Sequence, residues 1–127
     1  MMTKWPKRVV LACIIVLAFI GVQKCLTANT PFDDRLFDSA LWKSATHKFE
    51  RDNPRGQMYD DLRHHYLKKG LDKQAVLNLL GPPDIKSDDS LFNYNLGMWS
   101  GFRIDYDTLN IAFNSKGKVA RVYRVQH

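Results

Sequence analysis

The stretch LKKGLDKQAVLNLLGPPD, residues 67–84, decides the fold of this chain. Asp72 is suited to cap a helix, because its carboxylate accepts hydrogen bonds from the first backbone N–H groups of the helix. The apolar residues that follow at helical spacing are Ala75, Val76, Leu79 and Leu80. Gly81 suits the left-handed position that closes a helix, and the two prolines after it end the helix. A helix of about two to three turns is unstable alone in water, so its apolar face must pack on other elements.

A second short helix precedes this one. Met58, Leu62 and Tyr66 recur every four residues, and Leu67 widens the apolar stripe. Acidic residues occupy the first turn and the sequence Lys-Lys-Gly follows the last, as the helix dipole and C-terminal capping favour. We therefore predict a helix over residues 58–67 and a helical hairpin with the following helix.

After Pro83 the hydrophobic period changes from helical to two, which predicts strands. The expected strands are residues 91–96, 108–113 and 119–125, with a hairpin turn at residues 114–117. The register of the last strand stays open, since two sets of apolar residues compete: Val119, Tyr123 and Val125 against Ala120 and Val122. The predicted fold is α+β, a two-helix hairpin packed on a three-stranded antiparallel sheet (α-α-β-β-β), preceded by an N-terminal apolar segment.

Composition divides the chain into three parts: a signal peptide or N-terminal membrane anchor at 1–28, a tether at 29–54, and the α+β domain at 55–127. Within the tether, a short helix is expected around residues 33–45, and residues 50–57 have the charge, Pro and Gly of a loop. Trp42 either packs on the domain or serves a partner. Packing is favoured, because large aromatic residues are usually buried in small domains.

The formal net charge of +6 is largely an N-terminal feature. Residues 1–28 carry four basic side chains and no acidic ones, whereas the remaining 99 residues carry 15 basic against 13 acidic residues. The 14-residue apolar run at 9–22 has the length of a signal-peptide core, and an uncleaved anchor is the alternative. Both predict that the domain lies outside the cytoplasm, on the periplasmic side, anchored by this segment or released after cleavage. Lipidation of Cys13 or Cys25 is disfavoured by the residues around them.

The domain shows no pattern typical of catalysis, of a cofactor or of nucleic-acid binding. Both cysteines precede it, and it contains no nucleophile elbow, phosphate loop or clustered basic face. His64 and His65 point about 100° apart on a helix, which is poor geometry for one metal ion. Instead, each histidine is expected to pair with the aspartate four residues earlier. Asp84, Asp88, Asp89, Asp105 and Asp107 lack the spacing of a calcium loop, so solvated acids are expected. We predict no enzyme activity, no cofactor and no metal.

The connection between the first two predicted strands, GMWSGFRIDYD at residues 97–107, is the predicted partner-binding site. Its candidate contact residues are Met98, Trp99, Phe102, Arg103 and Tyr106. These residue types are enriched at the hot spots of protein interfaces. The alternative is that a domain this small uses its loop aromatics to complete its core.

The order of elements and two motifs resemble the SmpA/OmlA (BamE-like) domain family over roughly residues 55–125. The first motif is matched by Gly70, Val76, Leu79, Leu80, Gly81 and Pro83. The second is matched by Ile111, Phe113, Asn114, Gly117 and Val119. The chain departs from the family in lacking a lipobox and in its long aromatic connection. The resemblance implies an extracytoplasmic adaptor without catalytic activity, in cell-envelope or outer-membrane protein assembly. The same layout occurs in β-lactamase-inhibitor-like domains.

The expected function is therefore a non-catalytic, membrane-associated protein-interaction module. It would bind a protein of the cell envelope through the 97–107 connection and the exposed face of the sheet, near lipid headgroups. The alternative is a secreted periplasmic inhibitor or a small-ligand-binding module of the same fold.

Overall fold

The computed structural model of the protein describes residues 31–45 and 50–127, with the side chain of Arg103 excepted. The predicted signal or anchor segment at residues 1–28 lies outside this part of the chain. Within the described residues, no helix is long and apolar enough to cross a membrane.

In the described part of the chain, four short helices precede the sheet: α1 (Ser39–Ser44), α2 (Pro54–Gln57), α3 (Tyr59–His65) and α4 (Lys73–Leu80). A 3₁₀ turn at Pro31–Asp33 comes before them. The helix predicted at 33–45 is thus a turn and a helix, which begins where the Asp38 carboxylate caps the Leu41 N–H. The helix predicted at 58–67 is shorter, and α2 occupies part of the predicted loop because Asn53 caps it and Pro54 starts it.

Among residues 31–45 and 50–127, the sheet has four antiparallel strands in sequence order: β1 (Ile85–Asp88), β2 (Leu91–Ser100), β3 (Asp105–Phe113) and β4 (Val119–Gln126). The α+β class and the antiparallel sheet are confirmed, but the predicted count of three strands is wrong. The additional strand is β1, all of whose residues are exposed. A strand without a buried face has no alternation of apolar and polar residues, so the hydrophobic pattern does not reveal it.

A β-bulge explains the ambiguous register of β4. Ile111 pairs with Val122 and Phe113 with Val119, and the register shifts between these pairs. The bulge adds one residue to β4, which places Val119 and Val122 on the same face of the sheet despite their odd spacing. Both therefore pack with the core.

The core lies between the helices and one face of the sheet. Its fully buried side chains include Trp42, Met58, Leu62, Val76, Leu80, Tyr94, Leu96, Leu109 and Ile111. Phe92 and Phe113 pack edge to face, with ring centroids 4.9 Å apart. Leu79 is partly buried against this cluster. The predicted apolar face of α4 is thus confirmed, and the core also includes Trp42, from the segment before α2.

Helix α4 begins after Asp72 and ends at Gly81, whose φ is +75°. The expected side-chain cap does not form. The Asp72 carboxylate instead forms an ion pair with Lys118, while the backbones of these two residues form a bridge. The start of α4 is thereby joined to the turn that precedes β4.

A buried ion pair joins α2 to the residues that follow α4. The Arg55 Nη1 donates to the Asp84 Oδ2 over 2.7 Å, and the two side chains are only 5% and 6% exposed. The Arg55 Nε also donates to the Trp42 carbonyl oxygen. The Asp84 Oδ2 accepts the backbone N–H of Asn95 as well, over 2.8 Å. The prediction that Asp84 is a solvated acid is therefore wrong.

A second carboxylate holds the segment before α1 against α3. The Asp61 Oδ2 accepts the backbone N–H of Phe37 over 2.8 Å, and its Oδ1 lies 2.8 Å from the His65 Nδ1. The Phe37 N–H, followed by His65, holds the pKa of Asp61 below its ordinary value of 3.8. The i,i+4 pair predicted for His65 is confirmed, whereas His64 contacts the backbone oxygen of Asp60.

The buried pair yields a stability prediction. We expect Asp84→Ala to lower the free energy of unfolding by about 3–5 kcal/mol, because it leaves the Arg55 guanidinium buried without its counter-charge. Asp89→Ala is the control, since its ion pair with Lys86 is exposed and worth little. Urea unfolding of the full chain, followed by circular dichroism, measures both. Equal effects of the two substitutions would contradict this role of Asp84.

The Asp61 contact yields a pH prediction. The pKa of Asp61 is lower in the folded state than in the unfolded state. The stabilisation of the folded state by Asp61 is therefore fully present above about pH 4, and it is lost as the pH falls through the folded pKa. We expect the Phe37 amide to lose protection from hydrogen exchange in that range. In the Asp61→Asn variant, whose amide oxygen is a weaker acceptor and does not titrate, Phe37 should be less protected than in the parent at neutral pH and show no such transition. A transition of the same size in that variant would assign the effect to another acid.

Candidate interaction site at the β2–β3 hairpin

The predicted site lies at the end of the β2–β3 hairpin. Strand β2 runs to Ser100, a 3₁₀ turn spans Gly101–Arg103, and β3 starts at Asp105. Most of the 97–107 connection is therefore strand, interrupted by irregular pairing around Gly97. The sequence does not show this, because the bulged pairing breaks the alternation of apolar and polar residues.

A buried carboxylate organises the end of the hairpin. The Asp107 side chain is fully buried, and its Oδ1 accepts from the Arg124 Nη1 over 2.7 Å. Its Oδ2 accepts the backbone N–H of Ser100 over 2.9 Å and that of Trp99 over 3.3 Å. The Ser100 hydroxyl donates to Oδ1 over 2.6 Å. The expectation that Asp107 is solvated is wrong, and its bonds fix the last residues of β2.

Trp99 faces the helices, and its side chain packs against α2 at the base of the hairpin. Its Nε1–H donates to the carbonyl oxygens of Leu96 and Asn53, over 2.8 and 3.0 Å. Its indole fills the space beside Gly56, where a Cβ atom would lie only 2.1 Å from the ring. Trp99 is half-buried against the core. For this residue the structure favours the core-completing alternative.

Tyr106 lies on the opposite face of the sheet from Trp99. Its ring stacks on that of His127, with centroids 4.5 Å apart and planes 5° from parallel. The neighbouring His127 Nε2 lies 3.0 Å from the Thr108 Oγ1. Met98 is half-buried, and its backbone N–H donates to the backbone carbonyl oxygen of Glu50.

Phe102 occupies the tip of the hairpin and is 99% exposed. Its φ of +58° is a conformation that costs an L-residue other than Gly about 1–2 kcal/mol. Ile104, two residues later, is 69% exposed. Gly101 precedes Phe102 with φ +55°, and a Cβ there would lie 2.3 Å from the Asp105 carboxylate. The tip thus holds two apolar side chains in solvent on a constrained backbone.

The predicted contact residues whose side chains the structure describes therefore do not form one surface. Trp99 supports the hairpin, Tyr106 stacks on the other face, and Phe102 stands at the tip. The backbone of Arg103 belongs to the tip turn. Ile104, also exposed at the tip, is absent from the predicted set, and its only signal in the sequence is a large apolar side chain between Arg103 and Asp105.

The outer face of the sheet, expected to be exposed and available to a partner, is less accessible than predicted. Asn95, Thr108 and Asn110 are 3%, 2% and 4% exposed. The Asn93 amide donates to the Asn110 oxygen, and the Asn110 amide donates to Thr108. These bonds favour the burial of Asn110 and Thr108, whereas the buried side-chain oxygens of Asn93 and Asn95 have no hydrogen-bond partner among the described residues.

No group of three or more histidine, cysteine or acidic residues positioned for a metal ion occurs among the described residues. No protein-family model, no curated protein and no solved structure matches this chain.

The different positions of Trp99 and Phe102 yield a prediction. We expect Trp99→Ala to lower the free energy of unfolding by about 2–4 kcal/mol, as loss of a packed aromatic does. Phe102→Ala should change it by less than about 0.5 kcal/mol, since the side chain is in solvent. Phe102→Gly should be about 1 kcal/mol more stable than Phe102→Ala, because glycine adopts positive φ without strain. Equal stability of the two position-102 variants would show that the backbone there is unstrained.

Proposed function

We propose that this protein is a non-catalytic interaction module of the cell envelope that binds a protein partner through the tip of its β2–β3 hairpin. The observation that carries the proposal is the Phe102 side chain, which is almost fully exposed in a backbone conformation that disfavours it. Strained residues cluster at binding and active sites, where the surrounding structure holds them in place.

The support under the tip strengthens the proposal. Asp107, Ser100 and Arg124 form a hydrogen-bonded cluster directly behind the turn. An apolar projection whose base is held by hydrogen bonds loses less conformational entropy when it enters a pocket, which favours affinity. Aromatic anchors of this kind dominate the energetics of many interfaces.

The proposed location rests on the sequence. The charge and apolar run of residues 1–22 favour export to the periplasmic side, with the segment retained as an anchor or removed. The resemblance to the SmpA/OmlA family supports a role as an adaptor in envelope or outer-membrane protein assembly. N-terminal sequencing of the mature protein separates the alternatives: Met1 favours the anchored adaptor, and Asn29 favours a released inhibitor or ligand-binding module.

Site-specific photo-crosslinking in the native envelope tests the proposed surface. We expect a photoreactive amino acid at position 102 to give a discrete protein adduct, because the partner covers this side chain. Position 36 is the matched control, since Leu36 is also an exposed apolar residue, at 78%, but lies outside the hairpin. Ile104→Ser should reduce the adduct formed at position 102.

Two crosslinking results would contradict the proposed protein-binding surface. The same adducts at positions 102 and 36 would show that the tip has no specific partner. If the only adducts were with lipid, the tip would bind the membrane surface rather than a protein pocket.

A further inference from the structure

One arginine of β4 connects the turn at the start of the described residues to the hairpin tip. The Arg124 guanidinium lies over the Phe32 ring, 4.0 Å from its centroid. Phe32 belongs to the 3₁₀ turn at Pro31–Asp33, is 7% exposed, and packs edge to face on Tyr59. A guanidinium over an aromatic ring is attracted to the negative face of that ring, and more strongly where the pair is desolvated. Phe32 therefore holds one face of the Arg124 side chain.

The same guanidinium reaches the last residue of β2. Its Nη1 donates to the Asp107 Oδ1 over 2.7 Å and to the Ser100 Oγ over 3.0 Å. Asp107 in turn accepts the backbone N–H groups of Ser100 and Trp99. The tip turn begins at the residue after Ser100. Phe32 and the base of the tip are thus joined through one side chain.

The different burial of the two charged partners makes this link sensitive to Phe32. The Asp107 side chain is fully buried, whereas 34% of the Arg124 side chain is exposed. A buried carboxylate is stable only while its counter-charge stays in place. An arginine that is partly in solvent has other rotamers open to it, and ordering it costs conformational entropy. Contact with the Phe32 ring favours the rotamer that faces Asp107.

A neighbouring contact supports the tip in the same way without involving Phe32. The Gln126 Nε2 donates to the Asp105 Oδ2 over 2.9 Å. A Cβ atom at Gly101 would lie 2.3 Å from that carboxylate, so the pair also lies against the tip turn. Strand β4 therefore holds the tip at two points, and the one at Arg124 is in contact with Phe32.

We propose that Phe32 and the hairpin tip are linked sites, that Arg124 is the positioning residue between them, and that seating of Phe32 holds the tip ready for binding. The two states of this link differ in whether the Phe32 ring covers the Arg124 guanidinium. Phe32 belongs to the predicted tether at residues 29–54, so the link makes partner binding depend on how the tether sits on the domain. Linkage is reciprocal, and a partner that fixes the tip also favours the seated state. The use of the link in binding rests on the proposed function of the tip, whereas the link itself does not.

Hydrogen exchange of the full chain in neutral detergent tests the link without a partner. Phe32→Leu keeps an apolar side chain but removes the ring, and we expect it to speed exchange of the Ser100 and Trp99 amides at least about threefold. Phe32→Tyr keeps the ring and should restore exchange to within about twofold of the parent. Leu36→Ala, at an exposed position of the same segment, is the control and should leave both amides unchanged.

A double-mutant cycle separates this link from general packing. In an Arg124→Gln background, Phe32→Leu should change exchange of the Ser100 amide by less than about twofold, because Arg124 carries the effect. An equal effect of Phe32→Leu with and without Arg124, or no effect in the parent, would overturn the inference. If circular dichroism shows that Arg124→Gln is unfolded, the cycle uses Arg124→Gln together with Asp107→Asn, which leaves no buried charge unpaired.

Crosslinking at position 102 in the native envelope tests whether binding uses the link. Phe32→Leu should reduce the protein adduct formed there, whereas Phe32→Tyr should not. If the parent forms no adduct, the proposed function of the tip fails, and the exchange experiment still decides the link. If the parent forms an adduct that Phe32→Leu leaves unchanged, binding does not depend on Phe32 and the inference is overturned.

Discussion

The buried ion pair between Arg55 and Asp84 is the contact on which the rest of the structure depends. Through it, three segments distant in the sequence meet: α2, the residues after α4, and the middle of β2. The Arg55 guanidinium also lies over the Trp42 ring, 5.0 Å from its centroid, and donates to the Trp42 oxygen. The two prolines before Asp84 restrict the backbone that places its carboxylate there. The short helices, each too small to be stable alone, are thereby held against one sheet.

The same arrangement recurs at the C-terminal end of β2. Asp107, like Asp84, is a buried aspartate that pairs with an arginine from another element and accepts backbone N–H groups of β2. The two carboxylates thus fix β2 at its middle and at its end. A hairpin held in this way projects Phe102 into solvent from a hydrogen-bonded base. Backbone strain persists only where surrounding contacts hold the chain in place, and the bonds of Asp107 provide such contacts at the base of the turn.

The sequence predicted the parts of the fold that depend on local pattern. Leu79 and Leu80 indicated α4, and Phe92, Ile111 and Phe113 indicated two strands of the sheet. It did not predict β1, which has no buried face. Nor did it predict that Asp84 and Asp107 are buried, because their arginine partners lie 29 and 17 residues away, and only the tertiary fold brings them together.

The candidate site was predicted as a region more accurately than as a set of residues. An aromatic hairpin connection indicated an interface, but composition alone does not distinguish a supporting side chain from a contacting one. Trp99 turns inward because Gly56 leaves space for its ring, and Phe102 turns outward because two successive residues have positive φ. The contact of Phe32 with Arg124 left no sequence signal, because only the tertiary fold brings these two residues together.

Native-state hydrogen exchange of the Trp42 amide, compared with that of Ile111 in the central strand, tests most directly whether the ion pair makes one cooperative unit of these segments. The account predicts that both amides exchange only through global unfolding, with the same free energy of opening and the same dependence on denaturant. If Trp42 exchanged through a separate opening of clearly lower free energy, the segment before α2 would be an appendage rather than part of the core, and the account would be contradicted.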